Sequence, residues 1–173
     1  MKQLILLITT IGLTFFVSCT TKDTSTTDNK LPEKLIDRIQ LVDLEGNNID
    51  LKQYQGKTIF LNYWATWCKP CRDEMPSMEA LNKAMAGQPF QMLSIVFNDD
   101  LDMANSFARR LGATFPVLAN PGSELTEAYM ITGVPETFLI DADGILRHKF
   151  IGPYNWDTWE MRNLVQELFN TTK

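Results

Sequence analysis

Hydrophobic and polar positions divide this chain into three stretches of different character. From Leu4 to Val17 the run is apolar except for Thr9, Thr10, Gly12 and Thr14. At about 14 residues it is shorter than the ~20 a membrane-spanning helix needs. With Lys2 ahead of it, it predicts the apolar part of an export signal over residues 1–18. Thr20 to Lys30 has no large apolar residue. Such a segment cannot bury enough surface to offset its ordering entropy, so residues 19–34 are expected to form a flexible tether.

Residues 35–173 behave as one domain in which short strands alternate with helices. Leu35 to Leu41 half-alternates as a strand, and Glu45-Gly46-Asn47-Asn48 makes a turn before Ile49 and Leu51. Thr58 to Trp64 is nearly all apolar or β-favouring, as in a strand buried on both faces. Pro70 to Met85 carries Met75, Met78, Leu81 and Met85 at helical spacing, a core stripe, and Gly87 follows as a stop. Phe90 to Phe97 predicts the next buried strand. Asn98-Asp99-Asp100 then caps a helix from Leu101 to Leu111, which Gly112 closes. Phe115 to Leu118 is a short extended piece, and Ser123 is expected to cap a helix to Met130. Thr137–Ile140 and Ile145–Ile151 flank Asp141-Ala142-Asp143-Gly144, a hairpin signal. Trp156 to Phe169 predicts a last amphipathic helix, with Trp156 and Trp159 docking it. The order implies an α/β fold whose sheet has mixed strand directions.

Composition narrows the function. The chain has 173 residues, 45% of them hydrophobic, enough for one domain whose core holds without metals or several disulfides. A net charge of −5 argues against a nucleic-acid surface, which requires a basic stripe. Three cysteines cannot make a disulfide scaffold, and one His cannot build most zinc sites, so no metal or cofactor is expected. Phe16-Val17-Ser18-Cys19 resembles a bacterial lipobox, which makes Cys19 a lipidation site. Lipid on Cys19 would place the domain in the cell envelope, where disulfide chemistry is allowed.

One chemical constellation stands out. Trp67-Cys68-Lys69-Pro70-Cys71 falls where a buried strand gives way to a helix. Two cysteines three apart across a first helical turn can close a small ring. Cys68 would lie beside unpaired N–H groups at the positive end of the helix dipole, an environment that lowers a thiol's pKa and makes it the nucleophile. Cys71, one turn inside, is placed to attack a mixed disulfide at Cys68. No second CxxC or His pair completes a zinc site, and Arg72 stands where haem attachment needs a His. A static structural disulfide remains the alternative.

Trp64-Ala65-Thr66-Trp67-Cys68-Lys69-Pro70-Cys71, with Gly133-Val134-Pro135-Glu136-Thr137-Phe138-Leu139-Ile140-Asp141 as second anchor, resembles thioredoxin-like proteins. Among them it is most similar to the envelope TlpA/ResA/DsbE-type thiol–disulfide oxidoreductases. That resemblance implies a thioredoxin-like fold with an N-terminal strand/hairpin extension, a redox-active Cys68–Cys71 disulfide and a cis Pro135 facing it. Trp67, Pro135 and Glu136 would then contact substrate, with Glu136 as a charge on the rim selecting partners. Asn62 stands where thioredoxin has a buried Asp, and an amide cannot carry a proton at working pH. Glu74, three residues after Cys71 on the same helix, is therefore expected to exchange the Cys71 proton. Pro76, inside that helix, is read as architecture that kinks it.

The resemblance implies a monomeric, lipid-anchored reductant, fed by a membrane thiol–disulfide electron donor. Its substrates would be protein disulfides or thiols, apocytochrome c among them. Two rivals stay open. A peroxiredoxin-type peroxidase needs a Thr three residues before a lone cysteine, where this chain has Ala65. A non-catalytic assembly module would have no need of an intact cysteine pair.

Overall fold

The computed structural model describes residues 39–170. The export segment, Cys19, the tether and the first part of the strand expected from Leu35 lie outside the described residues. In chain order the elements are β1 (Gln40–Val42), β2 (Asn48–Asp50), a 3-10 turn (Leu51–Tyr54), β3 (Thr58–Trp64), α1 (Lys69–Ala84), β4 (Phe90–Val96) and α2 (Leu101–Arg110). β5 (Val117–Ala119), α3 (Glu124–Ala128), β6 (Glu136–Ile140), β7 (Leu146–Ile151) and α4 (Trp159–Glu167) follow, with a closing 3-10 turn (Leu168–Asn170). They form one mixed sheet in the order β2-β1-β5-β4-β3-β6-β7. β3 runs parallel to β4 and antiparallel to β6. This is the thioredoxin-like arrangement.

Central β3 is buried at all seven positions, because helices cover both faces of its sheet. Side chains alternate across a strand. Phe60 and Trp64 join the cluster beneath α1, α2 and α4, with Met75, Met78, Leu81, Met85 and Trp156. Ile59, Leu61 and Tyr63 enter the opposite cluster with Leu125, Tyr129 and Phe138. Asn62 is the polar break in the first series. It lies in register with Ser94 of β4 and Thr137 of β6, so a polar line crosses the sheet under α1.

Several element boundaries differ from expectation for identifiable reasons. β5 begins at Val117 because Pro116 has no N–H for a ladder. Ser123 makes no cap bond; its hydroxyl lies 2.6 Å from Glu127 Oε1. α3 ends before Met130, which takes a left-handed φ of 48°. The last helix starts at Trp159, where Thr158 Oγ1 accepts the Met161 N–H. Trp156 belongs to the preceding strap and docks fully buried, whereas Trp159 is 73% exposed and does not dock. α1 runs through Pro76 without interruption.

Candidate active site

β3 ends at Trp64, and residues 65–68 turn the chain onto α1. The Cys68 N–H donates to the Ala65 carbonyl at 3.2 Å, and Cys68 is the N-cap of α1. Its sulfur accepts the Cys71 N–H at 3.2 Å, the place a Ser or Asp oxygen takes in an ordinary cap. A sulfur there sits among the free N–H groups at the helix start, which stabilise negative charge. Pro70 in the first turn has no N–H to leave unpaired. Cys68 and Cys71 are joined in a disulfide with Cα atoms 5.4 Å apart, and both are buried.

The second anchor meets the first here. The Val134–Pro135 bond is cis, and the Val134 carbonyl oxygen lies 3.6 Å from Cys68 Sγ. Trp67 is 59% exposed beside them, its indole N–H donating to the Asn98 carbonyl at 3.4 Å. Lys69 points outward and pairs with Asp73 at 2.5 Å.

Asp99 was hidden within the run read as a helix cap. Only Asp100 caps, accepting the Met103 N–H. Asp99 Oδ2 accepts the Thr66 N–H at 2.7 Å and its hydroxyl at 2.6 Å, while Arg72 Nη1 donates to the Thr66 carbonyl at 3.2 Å. Burial acts to raise the Asp99 pKa, but the Thr66 and Asp100 donors outweigh it and hold the carboxyl below its usual range. A depressed carboxylate stabilises the fold above its unfolded pKa and loses that contribution as pH falls through the folded one. Asp99→Ala orphans both Thr66 donors and is expected to cost about 1–3 kcal/mol. A urea titration at pH 7 checks this, and the gap from wild type should shrink below about pH 4.

Glu74 lies one turn beyond Cys71 and is buried, not solvated. Oε1 accepts Asn62 Nδ2 at 3.0 Å; Oε2 accepts the Tyr154 N–H and Trp156 Nε1–H, each at 3.1 Å. Burial raises its pKa, and the Tyr154, Trp156 and Asn62 donors oppose the rise without cancelling it. With a raised folded pKa, its contribution to folding is complete below the unfolded value and lost as pH climbs through the folded one. A pocket of about 390 Å³ opens beside it, lined by Asp73, Pro76, Ser77, Pro153, Tyr154 and Asn155.

Glu136 is not a rim charge, since it is 1% exposed. Oε1 accepts the Thr132 N–H, the Thr132 hydroxyl and the Gly133 N–H at 2.9, 2.9 and 3.2 Å. Oε2 pairs with Lys149 Nζ at 2.9 Å. Its carboxylate faces the loop that leads to Pro135 and has no route to a partner's surface. Sequence reasoning also missed Tyr154 and Trp156, whose partner lies about 80 residues away.

Comparisons with known proteins agree with this geometry. The AhpC/TSA family matches residues 30–149. The thiol-disulfide oxidoreductase ResA of Geobacillus kaustophilus (strain HTA426) is 33% identical over 149 residues, 86% of this chain and 83% of that protein. ResA of Bacillus thuringiensis (strain Al Hakam) is 38% identical over 113 residues, 65% of each chain. Among solved structures, a thiol:disulfide interchange protein of the thioredoxin family from Chlorobium tepidum TLS superposes with a TM-score of 0.64 at 28% identity. That match covers 76% of this chain and 92% of the other.

Proposed function

Since the chain belongs to the AhpC/TSA family, and within it to the TlpA/ResA/DsbE-type thiol–disulfide oxidoreductases, we propose that its exchange chemistry runs as a reductant of protein disulfides in the cell envelope. The observation that carries the exchange chemistry is the capped sulfur of Cys68, bonded to Cys71 and set against the Val134 carbonyl, while the reductive direction rests on the resemblance to the ResA-type proteins. In the reduced protein the Cys68 thiolate attacks a substrate disulfide. One substrate sulfur leaves as a thiolate and takes a proton, while the other stays bonded to Cys68. Cys71 then gives its proton to the Glu74 carboxylate, attacks Cys68 Sγ and expels the second substrate thiolate. Two electrons pass from the cysteine pair to the substrate. A dithiol carrier in the membrane restores the pair by the same exchange in reverse.

Trp67 and Val134 border Cys68 and offer a substrate chain an aromatic face and backbone groups. The buried Pro135 holds Val134 in place, its own carbonyl accepting the Gly152 N–H. Apocytochrome c, whose CxxC thiols must be reduced before haem attachment, suits this chemistry as a target. The protein acts as a monomer held to its membrane by lipid on Cys19. No helix among the described residues is long and apolar enough to cross a membrane. Cys71→Ala removes the resolving thiol, so partners should accumulate as mixed disulfides at Cys68. Mass spectrometry of those adducts from envelope fractions identifies the target, and the redox state of that target in cells lacking the protein gives the direction. Recovery of cytochrome precursors disulfide-bonded to Cys68 supports the reading, and Cys68 recovered only as its own sulfenic or sulfinic acid would overturn it.

A further inference from the structure

The strap between β7 and α4 carries a residue that neither the motif nor the disulfide accounts for. Trp156 is docked on α1 twice. Its backbone N–H donates to Ser77 Oγ at 3.1 Å, and that hydroxyl donates to the Glu74 carbonyl at 2.7 Å. Its indole N–H donates to Glu74 Oε2 at 3.1 Å. The ring is fully buried, and Phe60, Phe150 and Tyr154 box it at centroid distances of 4.7, 5.1 and 5.5 Å. Three aromatic walls hold its orientation, so the N–H is aimed rather than free to choose a partner.

Apolar packing alone asks for no N–H at this position, and a buried carboxylate is costly to desolvate. An indole N–H aimed at Glu74 Oε2 offsets part of that cost. A hydrogen bond to the ionised form favours that form. We infer that Trp156 is a positioning residue for the exchange reaction, its indole N–H holding Glu74 as the carboxylate that accepts the Cys71 proton. This rests on the proposed role of Glu74. The other groups near that carboxyl are few. On α1 they are Cys71 and Asp73, the latter tied to Lys69. The strap adds Tyr154, and Asp157, which is paired with Arg162. β3 and β6 present the neutral Asn62 and Thr137.

The test compares wild type, Trp156→Phe, Glu74→Gln and a variant with benzothienylalanine at 156, which keeps the indole shape and lacks the N–H. Stopped-flow measures the pH profile of the resolving step, release of a mixed disulfide from Cys68. NMR of ¹³C-labelled Glu follows the Glu74 carboxyl directly. Both Trp156 variants should move the Glu74 midpoint and the acid limb of the profile together to higher pH, with the plateau above the limb unchanged. Loss of one charge-assisted hydrogen bond corresponds to roughly tenfold tighter proton binding. A limb that Glu74→Gln removes but neither Trp156 variant moves overturns the inference and leaves the Glu74 role standing. A limb that survives Glu74→Gln overturns that role instead, and the NMR midpoint still reports whether Trp156 tunes the carboxyl. Should Trp156→Phe fold poorly, the isosteric variant decides. A lowered melting temperature with an unmoved midpoint reduces Trp156 to packing.

Discussion

Cys68→Ala should abolish insulin reduction in the presence of dithiothreitol, leaving only the uncatalysed rate. Deleting a covalent nucleophile removes the step on which every later one depends, so a loss on the order of 10³-fold or more is expected. The N-cap geometry explains why no other group substitutes. The sulfur of Cys68 is the one that accepts the Cys71 N–H and lies against Val134 at the site entrance. Cys71 is 1% exposed and one turn deeper, so it reaches Cys68 but not an incoming protein disulfide. Cys71→Ala should therefore react once with substrate and stop, whereas Cys68→Ala should not react at all. Lys69→Ala should change the rate little, because that ammonium is exposed, paired with Asp73 and screened by salt. Insulin reduction at a wild-type rate in Cys68→Ala would refute a two-cysteine site. Peroxide turnover without insulin reduction by the wild type would move the chain to peroxidase chemistry, and inactivity in both assays to an assembly role.

Much of this was legible in the sequence, and the misses share a cause. β3 was readable to its end residues because burial on both faces leaves an uninterrupted β-favouring run. The core stripe of α1 followed from the spacing of Met75, Met78, Leu81 and Met85, all buried. The cysteine pair was visible because its chemistry is local. What sequence could not show were pairings between element ends. Thr66 and Asp99 follow the C-terminal ends of parallel neighbours, where Trp64 pairs with Val96. Only that register brings the two loops together. Trp156 sits at helical spacing from the last helix, but the backbone is extended at Thr158, which caps the helix there, so Trp156 stays in the strap with its N–H on Ser77.

The misplacement of Glu136 has the same origin and leads to the second large effect. Phe138 pairs with Lys149 and Glu136 with Ile151 across the β6–β7 hairpin. Glu136 and Lys149 are thus diagonal neighbours on one face, a relation invisible until the register is known. Lys149 also donates to the Tyr129 and Met130 carbonyls, each at 2.9 Å. Between them the two charges hold residues 129–133, the approach to Val134 and Pro135. Glu136→Ala strands a mostly buried ammonium and orphans the Thr132 and Gly133 donors.

Removing one partner of a buried pair costs about 3–5 kcal/mol, and the 18% exposure of Lys149 places the expectation at the lower end. A melting temperature roughly 10 °C below wild type should result. Glu136→Gln keeps one acceptor oxygen for Thr132 and Gly133 but turns an amide toward Lys149, so it should fall between. Combining Glu136→Ala with Lys149→Met removes the stranded charge and should recover part of the loss, though it leaves the Thr132 and Gly133 donors orphaned and gives up the Lys149 bonds to the Tyr129 and Met130 carbonyls. The same variants should slow exchange in step with the loosening of Val134 beside Cys68, which hydrogen exchange at Gly133 and Val134 would report. A Glu136→Ala protein melting within 2 °C of wild type (roughly the effect of 0.5 kcal/mol) would mean that the pair holds nothing.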